Sequence, residues 1–271
     1  MPELAEVVWF SKQWTPGIHK RISEVRVHPK ARIFRDIDAE KLVRHLTGKR
    51  LRSIHTYAKR MGFAFSDSTW LDLHLGMSGK LLTGAPEMIP DRHEHLVLYT
   101  GKRGPALVFS DYRMFGKVDV RTCSDSAEAW SGLPPEPHAD AFTRRYFDRL
   151  LQRFARRPLK ALLLEQAAFP GVGNWMADEI LWRARIHPES KAHELTPAEK
   201  SRLYRISRAV CRDALRVIGT DWSRPPDSWL FNHRWKRDGI CPKSRQPLEW
   251  ITVGGRTSCF SPVLQKVPGN R

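Results

Sequence analysis

LRSIHTYAKRMGFAFSDSTWLDLHL, residues 51–75, decides how the fold is read. It holds three strand-like runs in quick succession, at 51–57, 62–65 and 70–75. Two more follow at 96–99 and 106–109, with Gly, Asp and Pro punctuating the series. Close-set strands joined by turns predict an antiparallel sandwich or barrel.

Upstream, residues 18–34 alternate (Ile22, Val25, Val27) as a half-buried strand does, and 38–46 reads as a short helix capped by Gly48. Residues 4–14 place Leu4, Val7, Val8, Phe10 and Trp14 at helical spacing, and Pro16-Gly17 ends that run. Downstream the composition changes near Ser124. Ser131-Gly132 and Pro134-Pro135-Glu136-Pro137 mark a linker. The period then becomes helical at 141–154, 158–165, 175–184 and 197–218. In the last of these Leu203, Ile206, Val210 and Val217 form one stripe, with Gly219 as its expected cap. Residues 248–260 return to hairpin chemistry around Gly254-Gly255. The expected organisation is α+β and multidomain: a β domain at 1–123, a linker at 124–139, a helical domain at 140–232 and a small hairpin at 233–271.

The chain has 271 residues, with 46 basic against 29 acidic side chains and a net charge of +17. The excess is dispersed, in pairs such as Lys49-Arg50, Lys59-Arg60 and Arg144-Arg145, which suits a folded basic surface whose partner is a polyanion. Ten tryptophans and 12 phenylalanines exclude a disordered chain and supply flat faces for bases. No apolar stretch is long enough for a membrane span, and the N-terminus lacks a signal pattern. Cys123, Cys211, Cys241 and Cys259 are scattered without any C-x-x-C, so a reducing cytoplasm is expected.

The chain opens Met1-Pro2-Glu3-Leu4-Ala5-Glu6. Removal of Met1 would free a secondary amine at Pro2. An α-amino group has a pKa near 7.7–8.0, so roughly a tenth is neutral at pH 7, against less than about one lysine in a thousand. A neutral amine attacks an electrophilic sugar carbon to give a Schiff base. Glu3 sits beside it and Glu6 one helical turn on; one carboxylate can move protons while the other orients backbone or water.

Phe169-Pro170-Gly171-Val172-Gly173-Asn174 lies between two helices, where glycines free backbone N–H groups for phosphate and Asn174 adds a donor. His74-Leu75-Gly76-Met77-Ser78-Gly79 and Asp111-Tyr112-Arg113-Met114-Phe115-Gly116 each follow a strand. Met77, Arg113 and Phe115 on neighbouring tips are suited to entering a duplex. The apolar pair would unstack a step while the guanidinium bonds the base left behind.

These motifs occur in one order: Pro2-Glu3-Leu4 with Glu6-Val7, Lys59 after a strand, the two loops above, Pro135-Glu136-Pro137, Gly171-Val172-Gly173-Asn174, Ile186-His187-Pro188 and Gly255-Arg256-Thr257. Together they resemble the formamidopyrimidine-DNA glycosylase/endonuclease VIII superfamily of base-excision repair enzymes over essentially the whole chain. The resemblance implies an antiparallel β-sandwich, a helix-two-turn-helix domain and a C-terminal β-hairpin finger. Pro2 then matches the Schiff-base nucleophile, Glu3 the catalytic acid/base and Glu6 a supporting carboxylate. Lys59 and Asn174 match phosphate-holding residues, Arg256 the finger arginine, and Met77, Arg113 and Phe115 the trio that fills the gap left by an extruded base. His93 falls where the family has a strand-edge histidine facing DNA. The implied partner is double-stranded DNA with damaged bases or abasic sites, bound by a monomer without a cofactor. The implied activity is a bifunctional glycosylase/AP lyase; a damaged-DNA binding protein without turnover is the alternative.

The sequence departs from that pattern in three places. The family's finger holds zinc with two C-x-x-C pairs; here the four positions are Cys241, Ser244, Ser261 and Leu264, so no metal is expected. The hairpin would instead be held by Trp250, Ile251, Phe260 and Val263. Ala5 stands where proline is usual. The connection from Gly219 to Trp235 is short, which leaves the preferred lesion open between oxidised purines, pyrimidines and cross-linked bases.

Overall fold

The computed structural model describes residues 2–28 and 30–267, so the fate of Met1 lies outside the described residues. The chain divides into two compact units, Met1–Leu133 and Pro134–Arg271.

In the first unit, α1 (Leu4–Lys12) precedes β1 (Glu24–Val27) and α2 (Ala39–Leu46), followed by β2 (Leu51–Tyr57), β3 (Arg60–Phe65), β4 (Thr69–His74), β5 (Lys80–Gly84), β6 (Glu94–Tyr99), β7 (Ala106–Ser110), β8 (Lys117–Thr122) and the short α3 (Ser126–Ala129). Two four-stranded antiparallel sheets form, ordered β1-β6-β7-β5 and β2-β3-β4-β8. Strand alternation sends one face of each sheet into a shared core: Leu96 and Leu98 of β6, Leu107 and Phe109 of β7, Leu71 and Leu73 of β4, Val118 and Val120 of β8. This is the expected sandwich. Val7, Phe10 and Trp14 join the same core, so the N-terminal helix is built into the sandwich. Trp14 is fully buried, packs on Phe63 at 4.6 Å and donates Nε1–H to Val108 O at 3.2 Å. Truncation of a buried indole of this kind costs about 3–5 kcal/mol.

The alternating run at 18–34 is a strand only over Glu24–Val27. Its first part turns toward the other sheet, with Arg21 bridging Arg50 and Ile22 N–H donating to Lys49 O at 2.7 Å. Residues 32–34 form a 3-10 turn. The segment therefore passes from one sheet to the other, and its alternation reflects burial at both. β5 and β8 were not legible as strands because their outward positions are lysine, threonine, aspartate and arginine. Beyond β8, Trp130 packs edge-on to Trp70 (5.6 Å) and against Tyr57 (5.8 Å), fastening residues after α3 to the first unit.

The second unit comprises α4 (Arg144–Arg153), α5 (Leu159–Leu163), α6 (Asn174–Ala184), α7 (Pro197–Asp221), β9 (Glu249–Val253) and β10 (Arg256–Phe260). Thr196 caps α7 by accepting Glu199 N–H while Glu199 reaches back to Thr196 N–H. Gly219 does not end this helix. The helix runs two residues further to Asp221, and Trp222, at φ +61°, takes the left-handed cap position. β9 and β10 pair antiparallel around Gly254 and Gly255, both at positive φ, as a two-residue hairpin turn requires. Trp182, Leu230, Cys241, Leu248 and Cys259 form a buried cluster against which Trp250 and Leu264 pack. Phe260 is buried as expected, but Val263 is 46% exposed and does not hold the hairpin. Among the described residues no helix is long and apolar enough to cross a membrane.

Candidate active site

Pro2 is half-buried at the head of α1, and Glu3 behind it is 3% exposed. Glu3 occupies the N-cap with extended backbone, and Glu6 at the third helical position accepts the Glu3 N–H at Oε2, 3.2 Å. This reach-back bond fixes the backbone through which Pro2 is positioned. Leu4, Ala5 and Val7 are buried beneath it, so the terminus is held by packing as well as by the cap.

Lys59 shares with Ala58 the two-residue turn between β2 and β3, closed by the Tyr57–Arg60 pair. Lys59 is buried, and Ala58 is held at φ +53°. Across β3 and β4, Arg60 lies opposite His74. Burial, with the charges of Lys59, Arg60 and Arg35 added, pushes the His74 pKa down to about 4. His74 is thus neutral at ordinary pH, and its Nδ1 accepts the N–H of Gly76 at 3.0 Å.

That bond leads into the first of the two loop tips. Gly76 sits at φ +63°, and a Cβ there would lie 2.4 Å from the Phe115 carbonyl carbon, so only glycine lets the loops meet. The buried Asp111 carboxylate joins them: it accepts Ser78 Oγ and Arg113 N–H at Oδ1 and Gly116 N–H at Oδ2, 2.7 Å. Arg35 adds a bond to Gly116 O at 2.7 Å. Met114, at φ +54°, packs toward the core, and its neighbours Arg113 and Phe115 are left outside. The Arg113 guanidinium lies 4.8 Å over the Phe115 ring. Met77 and Phe115 are 40% and 42% exposed. The two predicted loops are thus bound to each other, and all three side chains expected to fill a gap in DNA are accessible. His93 ends one residue before β6; its carbonyl accepts Asp111 N–H at 2.9 Å and its ring lies edge-on to Tyr112 at 6.4 Å. It therefore borders the same loop.

In the second unit Asn174 is the first residue of α6, behind Gly173 at the N-cap. Gln166 braces the glycine turn, donating to Val172 O at 2.9 Å and accepting Gly171 N–H at 3.1 Å. Asn174 O accepts Lys160 Nζ at 2.7 Å, and its Oδ1 is closed off from solvent without a partner among the described residues. One turn along α6, the buried Asp178 accepts Lys160 Nζ (2.5 Å), Arg234 Nη2 (2.6 Å), Ser258 Oγ (2.8 Å) and Cys259 N–H (3.1 Å). The hairpin is thereby tied to the helix that carries Asn174. Arg256 is exposed beside the turn of that hairpin, opposite Val253.

The four finger positions also converge. Cys241 Sγ accepts Ser244 N–H (3.4 Å) and Trp182 Nε1–H (3.3 Å), Ser244 Oγ meets Ser261 Oγ (3.4 Å), and Ser261 Oγ accepts Leu264 N–H (3.4 Å). Burial pushes the Cys241 thiol up, but hydrogen bonding from the Ser244 side chain, then from the Ser244 N–H and Trp182, outweighs it and holds it below the usual thiol range. Among the described residues no group of three or more His, Cys, Asp or Glu is placed to hold a metal. Cys241 and Cys259 lie in one buried cluster, both as free thiols.

Sequence reasoning did not single out Asp111 and Ser78 as organisers, although both lie within the quoted motifs. Nor did it find His74, opposite Arg60 and bonded to Gly76 N–H, or the Lys160–Asp178–Arg234 group, whose members are too far apart in the chain to signal one another.

Residues 1–118 match the formamidopyrimidine-DNA glycosylase N-terminal domain, and residues 133–224 match the formamidopyrimidine-DNA glycosylase H2TH domain. A formamidopyrimidine-DNA glycosylase of Chloroflexus aurantiacus is 31% identical over 98% of both chains. One of Thermus thermophilus is 34% identical, again over 98% of both. Among solved structures, wild-type Lactococcus lactis Fpg (MutM) in complex with an oxidised-pyrimidine-containing DNA superposes with a TM-score of 0.86 at 26% identity, covering 98% of this chain and 100% of that one. The same Lactococcus protein with an N7-benzyl-Fapy-dG-containing DNA gives 0.85 at 25% identity, with the same coverage. Matched along both units and in fold, the chain belongs to the formamidopyrimidine-DNA glycosylase family.

Proposed function

We propose that this protein is a bifunctional DNA glycosylase/AP lyase of base-excision repair, acting in the cytoplasm on nucleoid DNA that carries damaged bases or abasic sites. Family membership supports the glycosylase assignment, and the head of α1 carries the lyase reading: Glu6 fixes the Glu3 N–H at 3.2 Å and Glu3 is buried immediately behind Pro2. With Met1 removed, the neutral Pro2 nitrogen forms a bond to C1′ of the extruded nucleotide. The C1′–base bond breaks, and the base leaves with a proton supplied through Glu3. The sugar ring opens to an iminium at C1′. Loss of a proton from C2′ then expels the 3′ phosphate by β-elimination, with δ-elimination to follow, and the iminium acts as electron sink without a cofactor.

Met77, Arg113 and Phe115 fill the space vacated by the base, an arrangement supported by their accessibility and by the loop bonds that hold them together. Lys59 and Asn174 contact phosphates around the flipped nucleotide, Arg256 extends from the hairpin to the backbone, and His93 borders the wedge. The β domain at 1–123, the helical domain at 140–232 and the finger at 233–271 divide these tasks.

Borohydride trapping on an abasic-site duplex tests the reading. Wild type should form a covalent adduct, Pro2→Gly should not, and Glu3→Gln should be impaired in base release. Tight binding to the damaged duplex with no adduct would establish a binding protein without turnover. A panel of damaged oligonucleotides then identifies the base.

A further inference from the structure

Helix α4, Arg-Arg-Tyr-Phe-Asp-Arg-Leu-Leu-Gln-Arg over Arg144–Arg153, begins against the usual electrostatic rules, although Arg153 in its last turn suits the dipole. Arg144 and Arg145 occupy its first turn, where the helix dipole is positive and acidic residues are favoured; no acid is present there. Arg145, Arg149 and Arg153 follow at four-residue intervals and are all exposed. Like charges at that spacing repel by about 0.2–0.5 kcal/mol per pair. The helix has one acid, Asp148, and it is engaged by Arg144 Nε at 2.9 Å. None of Arg145, Arg149 and Arg153 forms an ion pair among the described residues, whereas Arg208, Arg212 and Arg216 of α7 are each paired with an aspartate. Thr143 caps the helix, and Phe147, Leu150 and Leu151 bury its opposite face, so the row is fixed in place.

From these observations we infer that the outer face of α4 is a second DNA-contacting surface, which binds the phosphate backbone of undamaged duplex independently of the lesion. Three guanidiniums spaced over about 12 Å of helix form a rigid strip of forked donors. Duplex DNA offers a charge per about 1.7 Å of axis, so such a strip meets several phosphates without reading sequence. Its partner is favoured over an acidic protein because the chain carries a dispersed net charge of +17, which suits an extended polyanion, and because it belongs to a DNA glycosylase family. In a repair enzyme such a surface would hold the protein on DNA between lesions. This goes beyond the proposed chemistry and needs neither Pro2 nor the wedge.

The test compares Arg145→Gln/Arg149→Gln/Arg153→Gln with a control of equal charge loss, Arg205→Gln/Arg216→Gln/Arg224→Gln, in the full chain. Binding to an undamaged duplex is measured by anisotropy over a range of salt. Each lost phosphate contact lowers the slope of log K against log salt by about 0.9, so the α4 variant should lose about 2–3 units and the control much less. An Arg→Lys version of the α4 variant should recover most of the slope. Single-turnover processing of a lesion duplex at saturating enzyme should be unchanged, and the thermal midpoint at low salt should be equal or higher, which excludes misfolding. Equal slope changes in the two glutamine variants, or none in either, would overturn the inference. So would an unchanged DNA slope accompanied by loss of binding to polyglutamate, which would assign the face to an acidic protein. Pro2→Gly should keep the wild-type slope, so this result and the lyase test fail independently.

Discussion

Ser78 donates its hydroxyl to the buried carboxylate of Asp111, joining two loops that lie 33 residues apart in the chain. The same carboxylate accepts the N–H groups of Arg113 and Gly116, so one acid sets the mutual position of the tips that carry Met77, Arg113 and Phe115. Asp111→Asn keeps the volume and exchanges an acceptor for a donor facing N–H groups. A loss of about 1–3 kcal/mol in stability is expected, and Ser78→Ala should cost about 1 kcal/mol. Both should weaken binding to an abasic-site duplex by more than they weaken binding to undamaged duplex, because the proposed wedge would act only where a base has left the stack. Urea titration and paired affinity measurements check this; equal weakening on the two duplexes would count against the wedge assignment.

Gly76 tests the same joint sterically. An alanine Cβ would be 2.4 Å from the Phe115 carbonyl carbon, at a φ of +63° that disfavours any side chain. Gly101 also has a positive φ, +96°, but a Cβ added there would meet nothing within 4 Å. Gly76→Ala should therefore exceed Gly101→Ala in destabilisation by at least about 1–3 kcal/mol, the overpacking contribution alone. Equal thermal shifts for the two variants would show that the loops part without cost.

His74 supplies a pH signature. Its pKa is lowered by burial and nearby cations to about 4 from an ordinary 6.5. The folded protein thus favours the neutral ring, and the stability it contributes is complete above pH 6.5. As pH falls from 6.5 toward 4 the unfolded chain takes up a proton that the folded chain refuses, and stability is lost by up to an amount on the order of 3 kcal/mol. His74→Gln should flatten the stability profile in that window while leaving the region above pH 7 little changed. Denaturant titrations at several pH values between 4 and 8 read this directly.

Asp178 holds two buried cations and the β10 backbone, so removing its charge takes away the carboxylate that faces Lys160 and Arg234. Asp178→Asn should cost about 3–5 kcal/mol. Burial, with the Asp178 charge second, pushes the Cys259 thiol up to about 12. In wild type Cys259 should therefore resist maleimide at pH 8, whereas the variant should label faster as the hairpin loosens. Unchanged labelling in a destabilised variant would show that the hairpin does not depend on this anchor.

The β-sandwich was legible because Leu51–Tyr57 and the runs after it concentrate apolar residues, and α7 because its stripe repeats over 25 residues. β5 and β8 were not, since each has only two apolar side chains among lysine, threonine and, in β8, aspartate and arginine. Gly219 misled because glycine usually follows a helix; here it is buried within one, and Trp222 adopts the left-handed conformation instead. Pro2, Glu3 and the wedge residues stood out as short motifs. Asp111 and Ser78 lay inside those motifs, but their partnership is a property of tertiary structure. Nothing local distinguishes the Lys160–Asp178–Arg234 group from a solvated set of charges until the fold removes it from water.

The finger offers the last test. Cys241, Ser244, Ser261 and Leu264 form a chain of contacts, each link at 3.4 Å. Four thiolates around a tetrahedral zinc with bonds of about 2.3 Å lie about 3.8 Å from one another. One pair of corner side chains, Ser244 Oγ and Ser261 Oγ, is therefore already near the spacing a metal needs, and Cys241 already accepts hydrogen bonds that favour a thiolate. Ser244→Cys/Ser261→Cys/Leu264→Cys should bind zinc with one-to-one stoichiometry and gain thermal stability that a chelator removes. Purified wild type should contain no stoichiometric zinc, since one thiol and two neutral hydroxyls do not make a site. Plasma emission analysis of both proteins decides the matter. Zinc in the wild type would mean that other residues are the true ligand positions, and a triple variant that stays metal-free under reducing conditions would mean that the corners do not point inward.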